Sequence, residues 1–112
     1  MRKLSFALLV SLLVPTAALA AEWQGVPLVD QTCREKVKAD PDKHPTSCLL
    51  KCASAGYGII TADGTWVKLD EKGNKAALAA LKATKKKDHV RANVTGEQKG
   101  DVIAVASLTI PD

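Results

Sequence analysis

Two of the three cysteines and one of the two histidines fall within residues 44–56, HPTSCLLKCASAG. The spacing H-x3-C-x3-C would place His44, Cys48 and Cys52 on successive turns of one helical face. Pro45 suits a first helical position, and Gly56 suits the residue that follows the last turn. We therefore expect a helix over 45–55, and the rest of the fold must accommodate whatever bonds its cysteines make.

The N-terminus has the pattern of a cleaved signal peptide. A basic start at 1–3 precedes an apolar stretch at 6–14, and small residues follow at 18–20. We expect a signal peptide over 1–20 and a single domain over 21–112, located in the periplasm or secreted. The apolar stretch is too short to act as a stable membrane anchor.

The domain that remains is small and nearly neutral. Removing 20 of the 112 residues leaves 92, and the loss of Arg2 and Lys3 leaves 14 basic against 12 acidic residues. The aromatic residues that remain are Trp23, Tyr57 and Trp66. A net charge of +2 with three aromatic side chains does not make a basic, base-stacking surface, so we expect no nucleic-acid partner.

The order of the elements predicts the fold class. Strands are expected at 22–29, 57–62, 65–69, 89–95 and 101–110, with helices at 45–55 and 75–85. The Asp63-Gly64 pair predicts a hairpin turn, and Asn74 is the expected N-cap of the second helix. This order predicts a small β-rich α+β domain, a five-stranded OB-like barrel with one helix between strands 1 and 2 and one between strands 3 and 4. A sheet with helices on one face is the alternative.

A run of three lysines, Lys85 to Lys87, follows the second predicted helix. Cations are favourable at the C-terminal end of a helix, so a solvated helix end explains the run. The alternative is an anion-binding patch.

Several short motifs together resemble a group of small exported bacterial proteins of unassigned role. The shared pattern is W-Q-G at 23–25, D-x-x-C at 30–33, H-x3-C-x3-C at 44–52, D-G at 63–64 and V-T-G at 94–96. The resemblance implies a compact OB-like domain, and it implies no established activity.

The three cysteines favour a disulfide. Small exported domains with thin cores commonly add a disulfide or a metal. Three pairings can be drawn, each with one thiol left over. Pairing Cys33 with Cys48 or Cys52 would close a loop of about 15 to 20 residues, worth about 3 kcal/mol. We expect a disulfide-stapled, non-enzymatic binding module whose partner is an unknown envelope protein or small ligand.

A metal site is the alternative for the same side chains. His44 precedes Pro45 and is free to fold back, so Cys33, His44, Cys48 and Cys52 can be combined into a Cys3His set. Such a set suits Zn²⁺ or Cu⁺. A redox role for the odd thiol is a third interpretation.

No catalytic constellation is evident. His89 has no nucleophilic serine or cysteine nearby in sequence, and no glycine-rich phosphate loop is present. Tyr57 and Trp66 flank the predicted hairpin and are the expected contacts for a partner. The alternative is that both aromatic side chains cover the core.

Overall fold

The computed structural model describes residues 20–111 of the protein. This part of the chain contains five β-strands and three α-helices, joined by turns and loops. The strands are β1 (Ala21–Asp30), β2 (Tyr57–Ile60), β3 (Trp66–Leu69), β4 (Arg91–Lys99) and β5 (Val102–Thr109). The helices are α1 (Arg34–Val37), α2 (Thr46–Lys51) and α3 (Glu71–Ala83). The predicted signal peptide falls outside the described residues except for Ala20. Within 20–111, no helix has the length and apolar character needed to cross a bilayer.

The strands close into a barrel in the order β1-β2-β3-β5-β4, and β4 pairs back onto β1. Neighbouring strands are antiparallel except β3 and β5, which run parallel with Lys68 opposite Val102 and Leu69 opposite Ile103. A parallel pair needs a crossover connection, and here α3 and β4 lie between the two strands in sequence. The prediction of a barrel is confirmed, and the alternative of an open sheet is wrong.

Strand β5 shows how the barrel is filled. Ile103 and Val105 point inward, but the next buried residue is Leu108. The pairing explains this change of phase, because Thr95 lies opposite Ser107 whereas Gly96 lies opposite Val105. A β-bulge at this point shifts the inward face by one residue. Strand β5 therefore buries one face only, and after the bulge that face continues at Leu108 instead of Ser107.

Helix α3 begins four residues earlier than the sequence predicted. The Asp70 carboxylate accepts a hydrogen bond from the Gly73 N–H at 2.8 Å and so forms the N-cap. Asn74, the predicted cap, instead accepts a hydrogen bond from the Tyr57 N–H at 2.7 Å. The helix buries Ala77 and Leu81 in the barrel core.

The connection between β1 and β2 is more broken than the predicted helix over 45–55. Helix α2 covers only Thr46–Lys51, and Cys52 is its C-cap. Short 3-10 turns at Pro41–Lys43 and Ala53–Ala55 flank it. The second turn ends at Gly56, whose positive φ of 87° is a conformation that glycine adopts readily. These turns return the chain to the end of β1.

Gly96 should not tolerate a side chain. A Cβ atom there would overlap the carbonyl of Ala104 in the paired strand. We expect Gly96→Ala to lower the free energy of unfolding by about 3 kcal/mol, because backbone atoms in a closed barrel cannot move aside. Urea unfolding followed by tryptophan fluorescence measures the loss.

Gly100→Ala is the matched control for Gly96→Ala. Gly100 has open space around its Cα, and its φ of 64° makes alanine unfavourable by about 1 kcal/mol. Equal losses of unfolding free energy in the two variants would show that the close contact between Gly96 and the Ala104 carbonyl does not affect stability.

The first 3-10 turn is tied to the barrel through Arg91. Its guanidinium donates to both carboxylate oxygens of Asp42 at 3.0 and 2.9 Å, and to the carbonyl of Gly25 at 2.7 Å. The hydrogen bonds from Arg91 hold the pKa of Asp42 below its ordinary value of 3.8. Bidentate pairs of this kind fix orientation as well as adding energy.

Asp42→Asn should destabilise the protein at neutral pH by about 1 kcal/mol, a modest value because both side chains are partly exposed. The Asp42 pKa is lowered by folding, so its contribution is complete above its ordinary value and is lost as the pH falls through the folded pKa. The difference between wild type and Asp42→Asn in thermal melts should therefore shrink below pH 4. A difference that stays constant down to pH 2 would contradict this assignment.

Candidate metal site

A buried carboxylate lies at the centre of the site. Asp30 is the last residue of β1, and its side chain is 0 % exposed. One carboxylate oxygen bonds His44 Nε2 at 2.8 Å, and the other accepts the Cys33 N–H at 3.0 Å. Aspartate is suited to the end of a strand because its carboxylate can accept an N–H from the turn that follows.

The ligand atoms of Asp30, Cys33 and Cys52 all lie within 4.8 Å of one another. Cys33 is brought there by the turn after β1. Cys52 arrives from the other direction, because the turn after α2 leads into Tyr57, which pairs with Asp30 across the two strands. Residues 19 apart in sequence therefore meet at the rim of the barrel.

The sequence predicted Cys33, His44, Cys48 and Cys52 as ligands, and the structure places them in three different ways. Cys33 and Cys52 meet at the cluster. His44 is 7 % exposed and contacts the cluster through the Asp30 carboxylate. Cys48 lies in α2, half-buried, and is not a member of the cluster.

Asp30 was not predicted as a ligand. The D-x-x-C spacing at 30–33 was visible in the sequence, but an aspartate at the end of a strand is common because its carboxylate accepts N–H groups of the following turn. Its burial depends on the pairing of β1 with β2 and on His44, which is fourteen residues away in sequence. Sequence spacing alone does not reveal such a contact.

The predicted disulfide is wrong. Cys33, Cys48 and Cys52 are all free cysteines. The two segments that a disulfide was expected to join are already connected by the hydrogen bonds of Asp30 and by the bond from the Gln31 N–H to the Gly56 carbonyl at 2.9 Å. A covalent staple is therefore absent from this junction, and both clustered thiols remain available as ligands.

The electrostatics of the cluster favour a cation. Burial, and then the neighbouring Asp30 carboxylate and Cys52, raise the pKa of the Cys33 thiol above its ordinary value of 9.0, while Lys36 acts weakly in the opposite direction. Burial, Asp30 and Cys52 also raise the pKa of the Tyr57 hydroxyl to about 12. Negative charge is thus disfavoured on Cys33 and on Tyr57, and a bound cation would relieve the repulsion that Asp30 exerts on the Cys33 thiolate.

The same geometry disfavours a thiol nucleophile. An activated cysteine needs a lowered pKa or a base in contact with its sulfur. The Cys33 pKa is raised, and the hydrogen bond from the His44 ring goes to Asp30. The arrangement therefore suits metal binding better than covalent catalysis.

The two predicted contact residues occupy different environments. Tyr57 is 1 % exposed, and its hydroxyl donates to the Leu49 carbonyl at 2.8 Å, so it belongs to the core. Trp66 is half-buried, with its Nε1–H donating to the Val29 carbonyl at 3.1 Å and the Arg34 guanidinium 5.1 Å from its ring centre. Trp66 also lines a cavity of about 350 Å³.

Comparisons with known proteins do not add to this geometry. Neither protein-family models, nor curated proteins, nor solved structures give a match to the chain.

Proposed function

We propose that this protein binds a zinc ion through Asp30, Cys33 and Cys52. The observation that carries the proposal is the convergence of three ligand atoms of suitable chemistry within 4.8 Å of one another. They come from the end of a strand, the following turn and a helix C-cap, so no single local motif accounts for their meeting.

The spacing suits a tetrahedral ion after a small closure. Zinc bonds of about 2.0 Å to oxygen and 2.3 Å to sulfur imply ligand atoms about 3.5 to 3.8 Å apart for one oxygen and two sulfurs. The largest separation in the cluster exceeds this range by no more than about 1 Å. Rotation of the two cysteine side chains supplies movements of that size without a change in the backbone.

The ligand types favour zinc over copper. Two thiolates alone suit Zn²⁺ or Cu⁺, but a carboxylate oxygen is a poor ligand for the soft Cu⁺ ion. Three protein ligands leave a fourth position for water or an external ligand, as in zinc sites that exchange ligands. We infer an open site whose metal can accept an external ligand, rather than a closed structural centre.

His44 has a supporting role in this proposal. Its hydrogen bond to Asp30 fixes the carboxylate in place and supplies a partner for a group that is buried whether or not a metal is bound. Partners of metal ligands commonly contribute 10- to 100-fold to affinity.

The setting of this function is also a proposal. The N-terminal pattern supports export to the periplasm, where an ion bound by two thiolates would protect them from oxidation. The strand order, with α3 between β3 and β4, supports an OB-like assignment of the barrel.

Single substitutions test the ligand set. We expect Cys33→Ser and Cys52→Ser each to weaken Zn²⁺ binding by at least ~100-fold, because each removes a ligand. Cys48→Ser is the matched control and should stay within about threefold of wild type, since Cys48 lies outside the cluster. Competition with a chromophoric chelator under reducing conditions gives the affinities, and thiolate-to-cobalt absorption in the Co²⁺ form reports sulfur ligation.

Two outcomes would overturn the zinc proposal. One is wild-type protein that binds no Zn²⁺ with all three thiols reduced. The other is loss of binding in Cys48→Ser equal to that in Cys33→Ser, with unchanged circular dichroism. His44→Ala, expected to weaken binding by about 10- to 100-fold, separates support of Asp30 from direct ligation.

The affinity should rise with pH. Cys33 must lose its proton to bind zinc, and its pKa lies above 9.0. Protons therefore compete with the metal from pH 6 to 8, and this group alone should strengthen binding about tenfold per pH unit. Cys33→Asp offers a ligand that is already ionised at pH 6, so its affinity should change less over the range. An equal slope in that variant would contradict the role assigned to Cys33.

A further inference from the structure

A second site lies at the opposite end of α2, and it is independent of the zinc proposal. We propose that a groove between the start of α2 and the segment 84–87 binds anionic phospholipid at a membrane surface. The groove has a volume of about 510 Å³. The residues that line it are Pro45, Thr46, Ser47, Leu50, Thr84, Lys85, Lys86 and Lys87.

The lysine run does not lie where a helix-dipole explanation requires it. Helix α3 ends at Ala83, and Thr84 already has extended backbone angles. The three lysines therefore follow the helix in an irregular segment instead of forming its last turn. The expectation of a simple solvated helix end does not account for their position.

Hydrogen bonds to the backbone hold this irregular segment in place. The Thr46 N–H donates to the Lys87 carbonyl at 2.8 Å, and the Thr46 hydroxyl donates to the Lys86 carbonyl at 2.7 Å. The Lys86 N–H donates to the Thr84 hydroxyl at 3.2 Å. These bonds fix the backbone of the run against α2, and the lysine side chains project from a preorganised rim.

The three lysines of the rim, Lys85, Lys86 and Lys87, form no salt bridges within the described residues. Lys86 acts weakly on the pKa of Asp42, but that carboxylate is bonded to Arg91. No acidic residue lines the groove, so it carries three positive charges around one cavity.

The floor of the groove is apolar. Leu50 is partly buried against the hydrophobic core, and Pro45 and the lysine methylene groups add further apolar surface. A small inorganic anion would use only the rim. An anionic phospholipid matches both parts, with its phosphate on the lysines and its acyl chain over Leu50.

Vesicle binding tests the proposal. The protein is the chain from Ala21, which contains every strand and helix of the barrel. We expect it to cosediment with vesicles of 30 % phosphatidylglycerol in phosphatidylcholine, to bind pure phosphatidylcholine far less, and to dissociate as salt is raised. The triple variant Lys85→Gln, Lys86→Gln, Lys87→Gln should bind about 100-fold more weakly, since each lysine near an anionic surface contributes about fivefold.

The triple variant Lys68→Gln, Lys72→Gln, Lys99→Gln is the matched control. It has the same net charge, and its three exposed lysines lie away from the groove. It should keep binding within about threefold of the wild type. Equal losses of vesicle binding in the two triple variants would show that binding depends only on net charge, and would overturn the proposed site.

Ser47→Glu tests the groove itself. Ser47 is exposed and lies in the first turn of α2, where an acidic residue is compatible with the helix. The new carboxylate should weaken vesicle binding at least tenfold, because it cancels part of the lysine charge within the groove. Unchanged binding in Ser47→Glu, or equal binding to pure phosphatidylcholine, would overturn the proposal. Displacement of the vesicles by millimolar inorganic phosphate at constant ionic strength would assign the lysines to a free anion instead.

Discussion

The buried carboxylate of Asp30 is the interaction on which the junction between barrel and connection depends. Removing a carboxylate from water is costly unless hydrogen bonds replace the lost hydration. Here the Cys33 N–H from the start of the β1–β2 connection and His44 from its middle supply those bonds. The same two bonds therefore satisfy the charge and hold the first half of the connection against β1, while the bond from the Gln31 N–H to the Gly56 carbonyl joins its ends. Together they do what the sequence led us to assign to a disulfide.

Much of the barrel could be predicted from the sequence because its signals are local. The Asp63-Gly64 turn, the alternation of Ala92 and Val94 and the positive φ of Gly56 each depend on a few neighbouring residues. The errors occurred where a distant contact decides the outcome. The bulge opposite Gly96 changes which residues of β5 face the core. The Asn74 side chain accepts a hydrogen bond from the Tyr57 N–H, and Asp70 caps α3 in its place.

The candidate site was predictable only in part, for the same reason. The cysteines were identified as chemically important, and two of them meet. Helical spacing suggested that Cys48 and Cys52 act together, but α2 ends at Lys51, and Cys52 is a C-cap that leads into the next turn. The third proposed ligand, Asp30, becomes a neighbour of Cys52 only through the register of β1 with β2. The register that pairs Asp30 with Tyr57 cannot be read from the spacing of residues along the chain.

The stability of the barrel bears on how the proposed metal would behave. A zinc finger needs its ion to fold because it has little core of its own. In this protein the aliphatic core is enclosed by a barrel without free edges, and Asp30 has hydrogen-bond partners before any metal arrives. Folding would then not require the ion, and its release would leave the ligands close to their bound positions. A preformed site with one open coordination position, on a barrel that does not need the ion to fold, is suited to presenting the metal to an external ligand rather than to holding the fold together.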